Sequence, residues 1–183
     1  MGLLIKGATG KTTEVNPQGQ IVTESMAKSA FAKASENGDA YSWTAVTENL
    51  AATGTALCVV NQSRDRLLCI TKVYSWADVP TALQIHCPAA GTWAGTAVVG
   101  VNYNRHSMKT ADAVAYANET GQTLAAGTVI LSLENNEATA DEFGCKWDFE
   151  GAVILGYDDS IAVDVVVDSA TFNCTIEGYY IDI

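Results

Sequence analysis

The chain has 183 residues, 48% of them hydrophobic and only 17% charged, with three prolines; that length carries one substantial domain, or a smaller one with an arm, and the composition excludes collagen-like and disordered chains. So low a charge content leaves much of the outer surface neutral and rich in Thr, Ser, Ala and Gly, which suits burial against other subunits. The net charge of −11 sits mainly in residues 110–183, where fourteen carboxylates accompany a single cation, Lys146; this argues against a nucleic-acid surface, which needs clustered Lys and Arg, and reads as an acidic face that keeps a crowded protein soluble.

Residues 1–24 read as a separate unit. Leu3 to Ile5, Thr12 to Val15 and Ile21 to Thr23 are short strand candidates, split by Ala8-Thr9-Gly10-Lys11 and Asn16-Pro17-Gln18-Gly19-Gln20. Both gaps carry turn chemistry, since Gly10 and Gly19 accept positive φ and Pro17 presets a turn. Hairpins this small do not hold together alone in water. Leu3, Leu4, Ile5, Val15 and Ile21 must therefore pack on the main domain or on a neighbouring molecule, and they are the candidate assembly residues. Ser25 to Asn37 is the one good helix candidate, Ala-rich and stopped by Gly38. A helix so short is marginal in isolation and is expected to connect arm and body. The expected division is 1–38, arm and connector, and 39–183, body.

The body opens with a strand over Tyr41 to Val46, a turn over Ala51 to Thr55, and an apolar strand over Ala56 to Val60. Arg66 to Ser75 is the longest β-branched and aromatic run of the mid-chain and is expected at the centre of a sheet. Thr81 to Cys87 alternates, with Leu83, Ile85 and Cys87 against Ala82, Gln84 and His86, which places His86 on a polar, solvent-facing side. Thr96 to Tyr103 reads as a further strand. Asn104 to Asp112 is polar and holds most of the local positive charge, Arg105, Lys109 and His106; it is the candidate contact loop, although a solvated connector has the same composition. Ala113 to Ala117, Thr128 to Leu133 and Phe143 to Phe149 follow as strands.

Ala152 to Ile183 reads as three strands forming an antiparallel meander. Phe172, Cys174, Ile176 and Tyr180 alternate with Thr171, Asn173, Thr175 and Glu177, while Ile161, Val163, Val165 and Val167 oppose Ala162, Asp164, Val166 and Asp168. Asp158-Asp159-Ser160 and Asp168-Ser169 supply the turns. Roughly ten strands at short spacing, with one short helix, describe an all-β fold, an antiparallel β-sandwich of jelly-roll type with an N-terminal extended arm; a closed barrel is the alternative.

No nucleophile elbow, P-loop or H-E-x-x-H occurs, and no spacing singles out a carboxylate pair. No catalytic, cofactor-binding or metal residue is assigned and no enzymatic activity is expected. The dipeptide Asp158-Asp159 is not a cation ligand set. Cys58, Cys69, Cys87, Cys145 and Cys174 contain no C-x-x-C, and His86 and His106 are too few to complete a zinc site, so the cysteines read as buried free thiols of a protein kept in a reducing cytoplasm. No secretory leader or membrane span is expected. Trp43, Trp76, Trp93 and Trp147 are expected in the core and in subunit interfaces, with a sugar-stacking platform as the alternative.

Read together, LLIKGATGKTTEVNPQGQI at 3–21, NGDAYSWTAV at 37–46, LLCITKVYSWADVPTALQIHCP at 67–88 and GTAVVGVNYNRHS at 95–107 resemble small virion structural proteins of tailed bacteriophages. The resemblance implies a β-sandwich without enzymatic activity or cofactor. Such a protein decorates or cements the capsid, or sits at the neck or tail, as a symmetric homo-oligomer, here expected to be a trimer. Its partners would be the major capsid protein or other virion proteins, with neither nucleic acid nor membrane, and its location the virion, assembled in the host cytoplasm. A receptor- or glycan-binding module of a fibre is the reading from another class.

Overall fold

The computed structural model describes residues 4–6, 12–15, 21–22, 28–50, 54–77, 82–89, 95–119, 127–134, 143–166 and 169–183. Its elements in chain order are β1 (Leu4–Lys6), β2 (Thr12–Val15), β3 (Ile21–Val22), α1 (Ala30–Asn37), β4 (Ala40–Leu50), β5 (Thr55–Asn61), β6 (Arg66–Ala77), β7 (Ala82–His86), β8 (Thr96–Val98), β9 (Val101–Asn102), β10 (Ala113–Glu119), β11 (Val129–Glu134), β12 (Phe143–Leu155), β13 (Ser160–Val165) and β14 (Ser169–Asp182). The helix begins where Ser29 caps it, its Oγ accepting from Ala32 N at 3.1 Å. It ends where Gly38 takes the left-handed conformation at φ 76°.

The two-residue periodicity of the body becomes two antiparallel sheets packed face to face, ordered β11-β7-β13-β5-β10-β8 and β12-β6-β14-β4-β9. The pairings nest: β4 with β14, β5 with β13, β6 with β12, β7 with β11. A chain folded once into a long hairpin, then wrapped so that successive pairs fall in alternate sheets, produces this order, which is that of a jelly roll. β8, β9 and β10 are inserted at the tip of that hairpin, between β7 and β11, and extend the sheets beyond β5 and β4.

Two expectations are corrected here. The last three strands are no meander, because β13 belongs to the six-stranded sheet while β12 and β14 flank β6 in the other. Alternation assigns residues to faces but does not name the neighbouring strand. Nor is Thr96 to Tyr103 one strand. A Cβ on Gly100 would lie 2.6 Å from Trp43 Nε1, so the backbone passes tightly over that indole, and β8 and β9 join different sheets on either side of it.

The inner faces meet in one core. From β14 come Phe172, Cys174, Ile176 and Tyr180, all buried as their alternation predicts; Trp43, Ile70, Val73, Leu57, Ile85 and Val163 pack among them. Each large side chain removed from water contributes about 1.5–3 kcal/mol. The six-stranded sheet is also covered on its outer face, where Cys58, Val60, Ala162 and Ala89 form a second cluster. β5 and β13 are accordingly buried at every position.

Asn61, at the end of β5, brackets the nested strands. Its Nδ2 donates to Arg66 O and Leu155 O, both at 3.0 Å, and its Oδ1 accepts from Ser63 N at 3.0 Å. The residue is fully buried, so losing it strands backbone groups that water cannot reach. Asn61→Ala is expected to lower the unfolding free energy by about 2–4 kcal/mol, measured by urea denaturation at constant m-value.

Candidate interaction surface

The predicted contact loop is built rather than loose. Asn102 donates its Nδ2 to Gly38 O (2.9 Å) and Lys109 O (3.2 Å), and its Oδ1 accepts from Asn104 N (2.8 Å). Asn104 repeats the device, donating to Glu36 O (2.8 Å) and accepting from His106 N (3.1 Å), while Ser107 Oγ accepts from Lys109 N (3.1 Å). Short polar side chains that capture a backbone N–H two residues on stabilise turns in this way. Gly38 also permits the close approach, since a Cβ there would collide with the Ser107 side chain.

Lys109, one of the three expected contact residues, is committed to the fold, its Nζ lying 2.9 and 3.0 Å from the Asp39 carboxylate oxygens. Arg66 reaches the same carboxylate at 3.2 Å, pairs with Asp112, and lies over the Tyr180 ring at 4.4 Å. Arg105 and His106 are exposed at the tip. Met108 of the same loop is 96% exposed, and Val99, between β8 and β9, is 83% exposed and lines a cleft of about 240 Å³ with Val98, Ala111, Val114 and Tyr116 among others. Met108 and Val99 are the apolar members of this candidate contact surface.

Of the candidate assembly residues, Leu4 and Ile5 lie in β1, Val15 ends β2 and Ile21 opens β3; Leu3 lies outside the described residues. These strands form an antiparallel sheet of their own, ordered β1-β2-β3, which pairs with no described strand of the body. Trp43 and Trp147 are buried in the core, Trp76 is 39% exposed, and Trp93 is outside the described residues. None of the five cysteines is joined in a disulfide among the described residues, and Cys58, Cys69 and Cys174 are buried.

His86 is not on the surface. It is 3% exposed, because its side of the sheet is covered by the segment at Cys87–Ala89, which Ser160 holds through its Oγ (2.8 Å to Ala89 O), and by Gly127. Its Nε2 lies 3.2 Å from Asp164 Oδ2, and neither ring nitrogen makes a well-directed hydrogen bond among the described residues. Asp164, 7% exposed, accepts from Thr55 Oγ1 at 2.7 Å. Burial pushes its carboxyl up to about 7, the Thr55 hydroxyl opposing only in part, and burial pushes the His86 imidazole down, with the Gly127 backbone opposing.

A third feature lay outside any sequence expectation: a cavity of about 440 Å³ on the outer face of the five-stranded sheet, between α1 and the strands β6, β12 and β14. Among the described residues no group of three or more His, Cys, Asp or Glu is placed to hold a metal ion, and no helix is long and apolar enough to cross a membrane. No protein-family model matches this chain, and neither a curated protein nor a solved structure matches it significantly.

The buried pair sets opposed pH dependences. Asp164, raised in the fold, contributes stability that is full below its unfolded value of 3.8 and is lost as pH rises towards about 7. His86, lowered in the fold, contributes stability that is full above 6.5 and is lost as pH falls. Relative to the parent, Asp164→Asn is therefore expected to lose stability from pH 6.5 down to about 5, and His86→Gln to gain it over the same interval; denaturant midpoints across that range read both slopes.

Proposed function

We propose that this chain is a non-enzymatic structural protein of a tailed-phage virion and, within that class, a capsid decoration or cement protein that binds across major capsid subunits. The observation that carries the reading is a jelly-roll body joined to a three-stranded N-terminal sheet that pairs with none of its described strands. Strands of two to four residues need a surface to cover them, and an arm that adds strands to a neighbour's sheet edge, or lies in its groove, finds one. The ordered loop with Arg105, His106 and Met108 supplies a second contact on the body. The resemblance of the segments at 3–21, 37–46, 67–88 and 95–107 to virion structural proteins supports the same class.

Adhesion is the mechanism. Each copy that binds the assembled shell but not free subunits stabilises the shell by mass action, and a symmetric homo-oligomer, here a trimer, presents several arms at once. A neck or tail position calls for the same parts, and the distribution of copies on the particle separates the two.

Deleting residues 1–24 is expected to abolish binding to particles while the body still unfolds as one cooperative unit. A truncated protein that saturates capsids as the full chain does would overturn the arm's role. Antibody-gold label spread evenly over the head would support decoration, label at the neck or tail a completion protein, and unlabelled particles would remove the virion reading.

A further inference from the structure

Three adjacent strands lose regular register at one level of the five-stranded sheet. Thr71 of β6 is passed over by both neighbouring ladders, since pairing steps from Lys72 to Ile70 opposite Asp148 and Val153 of β12, and opposite Glu177 and Gly178 of β14. Thr71 Oγ1 donates to Glu177 O at 3.1 Å. Residues 149–152 of β12 bulge outward here, with Glu150 at φ 51° and Gly151 at φ 84°, held by Asp148 Oδ1 accepting from Glu150 N at 3.1 Å. A Cβ on Gly151 would lie 3.1 Å from the Tyr179 hydroxyl, so that tyrosine leans across β6 towards the bulge. Bulges at one level in neighbouring strands re-aim side chains and open a sheet face.

What they open is the cavity of about 440 Å³, within the size range of small-ligand sites. Thr71 and Lys72 line it from β6, Asp148 and Glu150 from β12, Tyr179 from β14, and the first turn of α1 with Phe31 from above. Phe31 packs edge-on to Tyr179, with ring centroids 6.3 Å apart, and to Tyr103 at 5.3 Å. Lys72 stands opposite Asp148 on one side and Glu177 on the other, yet the ion pairs among the described residues lie elsewhere.

We propose that this cavity binds a neutral saccharide unit. The carboxylates flanking Lys72 would repel an anion drawn to it, and Lys72 would repel a cation drawn to them. A sugar hydroxyl both donates and accepts, so it satisfies an interleaved lining of carboxylates, ammonium and phenol, while Phe31 offers an apolar wall to a ring face. The site goes beyond the assembly role and shares no residue with the arm or the contact loop.

NMR amide spectra of the full chain, titrated with maltose, lactose and diacetylchitobiose, test the site, with glutamate and putrescine as anionic and cationic probes. Shifts from at least one sugar, centred on Lys72, Glu150, Gly151 and Tyr179, are expected, with binding about tenfold weaker in Glu150→Gln and in Asp148→Asn. Both variants keep side-chain size, and unchanged spectra elsewhere report that they fold. Silence at these amides across the three sugars, shifts from glutamate or putrescine alone, or sugar shifts that neither variant weakens would overturn the proposal.

Discussion

The pairing of the first body strand with the last closes this molecule. β14 lies between β4 and β6 and pairs with both along most of its length, so the five-stranded sheet has no centre until the C-terminal residues are in place. Its register follows from Phe172, Cys174 and Ile176, because a slip of one residue would turn Thr171, Asn173 and Thr175 into the core. The other nested pairs lie inside this one. Contacts between such distant parts of the chain require large loops to close first, which makes folding slow for the size.

Nesting also decides which surfaces remain to be used. The outer face of the six-stranded sheet is covered over β5 and β13 by the chain itself, with Ala89 against Cys58, Val60 and Ala162, and the cover encloses the Thr55, Asp164 and His86 group, while Val114 and Tyr116 of β10 stay open to a cleft. The outer face of the five-stranded sheet is mixed, with Thr44, Lys72 and Thr175 beside the exposed Val46, Trp76 and Ile154, and there the irregularity at Thr71 leaves a cavity beneath α1. The insertion from β8 to β10 supplies one edge of each sheet, opposite β11 and β12, and carries the candidate contact loop. Exposed ion pairs contribute little, typically below about 1 kcal/mol, so the order of that loop rests on Asn102 and Asn104 more than on Lys109.

Much of this was legible in the residues. Period-two alternation marked the inward positions of β14 and the core side of β13; Gly38 marked the helix end, and turn chemistry marked the spacing of β1, β2 and β3. Asn102-Tyr103-Asn104 also carried a readable signal, since Asn recurring at two-residue spacing is turn chemistry that orders a loop. β6 was harder. Its inward residues are Leu68 and Ile70, then Val73 and Ala77, a change of parity that marks the extra residue Thr71.

By itself the sequence determined the position of most strands, the inward face of β14 and the all-β class, because these follow from local backbone preference and from which side chains water rejects. Only the tertiary structure decided which strands are neighbours, that β13 leaves its sequence neighbours for the other sheet, and that His86 is buried. Alternation divides a strand into two faces without saying what covers the second. At His86 the cover is the segment at Cys87–Ala89 and Gly127, brought there by the path of the chain rather than by any property of β7.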